Sequence, residues 1–137
     1  MIGSYVLVIE NDKDQNIQIG KLGKLFFKKG FYAYVGSALN GLEHRINRHR
    51  NSGKNVHWHI DYLLDKTNIA YVFIKESKVK EECKIAHIFK EKLKSVSNFG
   101  CSDCNCSSHL FYGSLKDIFF CNKMANLVHL DISNNEE

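Results

Sequence analysis

Four short β-prone runs crowd into the first thirty-five residues, and they constrain the fold more than anything later in the chain. Ser4–Glu10, Gln15–Gly20, Lys21–Phe27 and Phe31–Val35 are rich in branched and aromatic residues, with the turn-prone Asn11-Asp12-Lys13-Asp14 and glycine breaks at Gly20 and Gly23 between them. Proline is absent, so the turns rely on nine glycines together with Asn and Asp. Side chains alternate along a strand, so if the first and last of these runs lie side by side, Tyr5 and Tyr34 point from one sheet face. After Gly36 the spacing becomes helical. Leu42, Ile46 and His49 share a side, and Arg45 stands one turn from His49. A helix is expected over His59–Leu64, a strand over Ile69–Ile74, and a long helix over Val79–Leu93 with the stripe Val79, Cys83, Ala86, Phe89 and Leu93. A last strand at Leu110–Leu115 and a helix over Ile118–Leu130 complete the pattern. These elements specify an α/β chain of the α+β kind, with a small central mixed or antiparallel sheet and flanking helices.

At 137 residues and 44% hydrophobic, the chain suits one domain with its own core, expected over residues 1–130, followed by a frayed tail at 131–137. No run of 18 or more apolar residues and no secretory leader are visible, which points to a soluble cytoplasmic protein with no membrane partner. Five cysteines are an odd number, and three of them fall within Cys101–Cys106. That pattern suits a reducing compartment better than a secreted disulfide framework.

The formal charge of +4 is unevenly spread. Between Lys21 and Lys54 there are eight basic residues against one acid, Glu43. With glycines and aromatics interleaved, such a window fits a surface that meets phosphates, and Lys24, Lys28, Lys29, Arg48 and Arg50 are the candidate nucleic-acid contacts. Taken alone, the same charges read equally as solvated side chains with no partner.

Two short signatures, Gly3-Ser4-Tyr5 and Tyr34-Val35-Gly36, precede Arg45, His49 and then Glu82 within Val79-Lys80-Glu81-Glu82-Cys83-Lys84-Ile85-Ala86. In this order, over about residues 2–94, they resemble the GIY-YIG nuclease superfamily. Further stretches resemble one small, mostly archaeal and uncharacterised subgroup, sometimes fused to a base-excision endonuclease. These are Tyr34-Val35-Gly36-Ser37-Ala38, His57-Trp58-His59-Ile60-Asp61-Tyr62-Leu63-Leu64, Glu82-Cys83 and Phe99-Gly100-Cys101-Ser102-Asp103-Cys104. The resemblance implies a GIY-YIG-like fold; that family usually joins its signature strands by a shorter connection, so Gln15–Phe27 reads as a hairpin inserted between them. The resemblance also implies a metal-dependent endonuclease acting on DNA, directed to a particular structure or lesion in repair or processing.

On that pattern Glu82 holds one Mg²⁺ or Mn²⁺, Arg45 grips the scissile phosphate, and Tyr5 is the favoured proton acceptor, with Tyr34 and His49 tuning it or substituting for it. A phenol with an ordinary pKa of about 10 is a poor base at neutral pH unless nearby positive charge favours the phenolate, and Arg45, the metal and the basic window are candidate sources of that field. Ser4 departs from the apolar residue usual in the first signature. A catalytically silent nucleic-acid-binding module of the same fold is therefore an alternative.

Cys101, Cys104, Cys106 and His109 place four zinc-type donors within nine residues. They read as a structural zinc site, as reduced thiols packing as small hydrophobes, or as a segment that folds Asp103 and His109 back toward the active site. The zinc reading carries a third alternative, a zinc-stabilised interaction domain. His57 and His59 diverge on a helix, so His57 reads as an exposed residue at the helix start and His59 as a hydrogen-bonded packing residue, with active-site support as its other role.

Overall fold

The computed structural model describes residues 1–39, 41–51, 56, 58–101 and 106–130. The expected tail at 131–137 lies outside them, as do Lys54, His57, Asp103 and Cys104. The elements run β1 (Gly3–Asn11), β2 (Gln15–Gln18), β3 (Lys24–Phe27), β4 (Gly30–Ala38), α1 (Leu42–Arg50), α2 (His59–Leu64), β5 (Asn68–Glu76), α3 (Glu82–Lys92), β6 (Lys94–Ser95), β7 (Leu110–Gly113), α4 (Leu115–Met124) and β8 (Val128–Leu130). Six strands form an open sheet in the order β6-β7-β4-β1-β5-β8, and every neighbouring pair is antiparallel. The expected α+β architecture is present, with the sheet antiparallel throughout. β2 and β3 pair only with each other, as a hairpin inserted between β1 and β4.

β1 is buried along its length except at Glu10, because it lies inside the sheet and both faces are covered. Tyr5, Leu7 and Ile9 join one core with Leu42 and Ile46 of α1, Ile60 and Leu63 of α2, and Ile17 and Phe27 of the hairpin. Val6 and Val8 join the opposite core with Ile85, Ala86 and Phe89 of α3 and Ile118 and Cys121 of α4. The run that reads as one uniform apolar strand thus feeds two cores by alternation.

Gly20–Leu22 is a short 3-10 helix, so β3 begins at Lys24 rather than Lys21. Of the other boundaries that differ from the sequence reading, three have a clear local cause. α3 begins at Glu82 rather than Val79, which is 64% exposed. The Ser77 hydroxyl accepts from Val79 N–H at 3.2 Å and donates to its carbonyl, a local turn that competes with helix. α4 starts at Leu115, where the Ser114 side chain caps Asp117 N–H at 3.1 Å, so the preceding strand stops at Gly113. α4 ends at Met124 instead of continuing to Leu130. Asn126 is left-handed (φ 63°), Leu127 N–H returns to the Asn122 carbonyl and Asn126 N–H to that of Lys123. This Schellman closure releases Val128–Leu130 to pair with β5.

Candidate active site

β1 and β4 pair with Tyr5 opposite Gly36 and Leu7 opposite Tyr34. The two tyrosines therefore share a face on a cross-strand diagonal, with ring centroids 6.4 Å apart. The glycine of the second signature has a steric cause: a Cβ on Gly36 would run into Cζ and Oη of Tyr5. Gly3 is constrained in the same way by the Lys75 backbone of β5. Ser4 alternates to the other face of β1 and is buried there, on the far side from the tyrosines.

α1 crosses this face and brings two groups to it. His49 is buried, and its Nε2 shares a hydrogen bond of 2.6 Å with the Tyr5 hydroxyl. Arg45, one turn earlier, donates to the Ser37 carbonyl at 3.1 Å, and its guanidinium carbon lies 4.5 Å from the Trp58 ring centroid. Trp58 is itself fixed by Asp61. This fully buried carboxylate accepts Trp58 N–H at 2.8 Å and a forked pair from Arg48 at 2.9 and 3.0 Å. The Arg48 guanidinium carbon stands 4.2 Å from the same indole. Two cation–π contacts and a bidentate ion pair thus orient the side of the site that holds Arg45.

The β4–β7 register runs only from Phe31 to Tyr34, and beyond it Val35 N–H donates to the His109 carbonyl at 2.9 Å. At this end of β4, Glu82 on the first turn of α3 and His109 meet the tyrosine face. Together with Tyr5, Tyr34, Arg45 and His59 they line a cleft of about 630 Å³. His59 Nδ1 accepts Gly100 N–H at 2.9 Å, which ties α2 to the segment before β7. Oε2 of Glu82 is buried and has no hydrogen-bond partner among the described residues. A desolvated carboxylate oxygen left unmatched is costly unless a cation or solvent satisfies it, and a hard divalent ion fits that donor.

Burial pushes the Tyr5 phenol well above its ordinary value, and the opposing pull of Arg45 does not offset it. Tyr34 is raised as well, first by burial and then by Tyr5 beside it. Of the positive groups expected to favour the phenolate, Arg45 is thus outweighed by desolvation. His109 is shifted down by burial, which outweighs the pull of Glu82.

Of the expected site residues, Tyr5, Tyr34, Arg45, His49 and Glu82 come together, with His59 at the same cleft. The basic candidates separate. Arg48 is engaged by Asp61 and Trp58 rather than standing as a surface cation. Lys28 and Lys29 precede Gly30 at the opposite end of β4 from Gly36, about 20 Å away along the strand. Lys24 and Arg50 are exposed outside the cleft, whose cationic lining comes from Arg45, Lys21 and Lys80. The expected zinc ligands also rearrange. Cys106 and His109 gather with Cys83 of α3, as a group able to hold a metal ion. The Cys101 thiol donates to the Phe99 carbonyl at 3.4 Å. Cys83, Asp61, Trp58, Lys21 and Lys80 were absent from the candidates. In sequence Cys83 reads as part of the apolar stripe of α3, and both it and Asp61 lie in stretches that carry the family resemblance without a role attached to either.

No described helix is long and apolar enough to cross a membrane. No curated protein and no solved structure matches the chain. A family model described as "Domain of unknown function DUF123" matches residues 4–129, which include both signature tyrosines, the arginine helix, Glu82 and the cysteine-histidine group. The chain belongs to that family.

Proposed function

We propose that this protein is a GIY-YIG-type endonuclease that hydrolyses phosphodiester bonds in DNA with a divalent cation. The observation that carries the reading is the meeting of Arg45 and the unmatched Glu82 oxygen with the Tyr5–His49 pair at one cleft. Glu82 is the residue that would hold Mg²⁺ or Mn²⁺, which when bound supplies Lewis-acid stabilisation of charge on the phosphate oxygens. Arg45 binds a non-bridging oxygen of the scissile phosphate. The raised Tyr5 pKa argues against a free phenolate. Instead, Tyr5 Oη takes a proton from the attacking water while passing its own to His49 Nε2, in the tautomer that leaves Nε2 bare. The new P–O bond forms as the bond to the 3′ oxygen breaks. The product ends are a 5′-phosphate and a 3′-hydroxyl that takes its proton from solvent. Tyr34, packed against both Tyr5 and His49, holds the pair in place.

A cleft this small suits a local feature of the duplex better than a long sequence, so branched, flapped and abasic DNA are the substrates of choice. Incubation of these with Mg²⁺ or Mn²⁺ is expected to give 5′-phosphate ends, and no product on any of them removes the enzyme reading. The burial of Tyr5, at 1% exposure, favours a second reading as a catalytically silent binder. That form retains salt-dependent binding at about 10⁻⁴–10⁻⁶ M without cleavage.

A further inference from the structure

Cys83 and Cys106 each offer a sulfur and His109 a ring nitrogen, and the three atoms lie within 4.8 Å of one another. Cys83 Sγ is 4.0 Å from His109 Nε2. Two sulfurs and an imidazole are soft to borderline donors, the set that takes Zn²⁺ in preference to a hard cation. With Zn–S near about 2.3 Å and Zn–N near about 2.0 Å, ligand atoms around a tetrahedral ion stand about 3.5–3.8 Å apart. The present spacing reaches that geometry when the side chains draw inward by less than about 1 Å, a rotamer-scale adjustment. The buried Cys121, by contrast, lies among the apolar side chains of the α3–α4 core.

We propose that Cys83, Cys106 and His109 form a zinc site that clamps the first turn of α3 to the segment entering β7. This ligand set differs from the one the cysteine spacing suggests, because its first member comes from a helix far away in sequence. The clamp stands at the cleft wall. Glu82 is the neighbour of Cys83, and the His109 carbonyl holds Val35 of β4 next to Tyr34. Zinc therefore sets where the Glu82 carboxylate sits, a consequence that rests on the nuclease reading, whereas the site itself does not.

The test is metal content by mass spectrometry of the full chain, purified under reducing conditions and reconstituted with Zn²⁺. About one equivalent is expected for wild type and for Glu82→Gln. Cys83→Ser and His109→Gln are expected to fall below a tenth. Less than a tenth of an equivalent in wild type overturns the site, as does a full equivalent retained by Cys83→Ser. Cobalt(II) titration of the wild-type protein keeps the test independent of variant folding. Thiolate-to-cobalt charge transfer with strong tetrahedral d–d bands supports the site, and the weak spectrum of octahedral, oxygen-ligated cobalt overturns it. Because Glu82→Gln keeps its zinc whether or not it cleaves DNA, failure of the clamp and failure of the nuclease reading are told apart.

Discussion

Tyr5 joins the catalytic reading to the stability of the fold, since its phenol is buried yet hydrogen-bonded to His49. In the unfolded chain the Tyr5 and Tyr34 phenols ionise near about pH 10, whereas in the fold burial holds both neutral beyond that point. Unfolding then releases protons at high pH. The stabilisation tied to the neutral phenols is complete below about pH 10 and is lost as pH rises toward the folded values. The urea midpoint is expected to fall between about pH 8 and about pH 11, and to fall less in Tyr5→Phe. An equal fall in that variant contradicts the assignment. At this scale the residues that meet were legible in the sequence, because Tyr5, Tyr34, Arg45, His49 and Glu82 stand in one ordered series and converge at one cleft. The sign of the phenol shift was not, because desolvation depends on the α1 and α2 residues that cover the ring.

Among the elements, α2 is short, yet its six residues carry Asp61, which fixes Trp58 and Arg48 and so the platform beside Arg45. Asp61→Ala leaves Arg48 without its forked acceptor and Trp58 N–H without its cap, and is expected to cost about 3 kcal/mol. The cleavage rate should fall as well, since Arg45 loses its support. A urea midpoint at the wild-type value contradicts this. The bounds of α2 were readable from its apolar spacing, and β1 from its run of Tyr, Val, Leu and Ile. The start of α3 and the end of α4 were not. The Ser77 turn ahead of Glu82 and the left-handed Asn126 are single-residue decisions that periodicity averages over. β8 was missed for a related reason: Val128-His129-Leu130 continues an apolar rhythm, and only pairing with β5 makes it a strand.

For the molecule as a whole, a six-stranded antiparallel sheet holds two cores apart, and the cleft opens where β7 stops short along β4. That geometry draws on residues from Tyr5 to His109. No local window of sequence reveals Cys83 beside Cys106, or Lys80 and Lys21 lining one cleft. Lys21 and Lys80, rather than Lys28 and Lys29, are expected to govern DNA affinity near the cleft. Each Lys→Ala change there should reduce the salt slope of binding by about 1, and a slope lowered only by changing Lys28 or Lys29 contradicts the placement. The most direct test of the central claim is single-turnover cleavage of flapped or abasic DNA in Mg²⁺ or Mn²⁺ by wild type, Arg45→Ala and Glu82→Gln, with binding measured alongside. Wild type should leave 5′-phosphate ends, and each variant should lose about 100-fold or more in rate, about 3 kcal/mol of transition-state stabilisation, while still binding DNA. Cleavage by both variants at the wild-type rate contradicts the account.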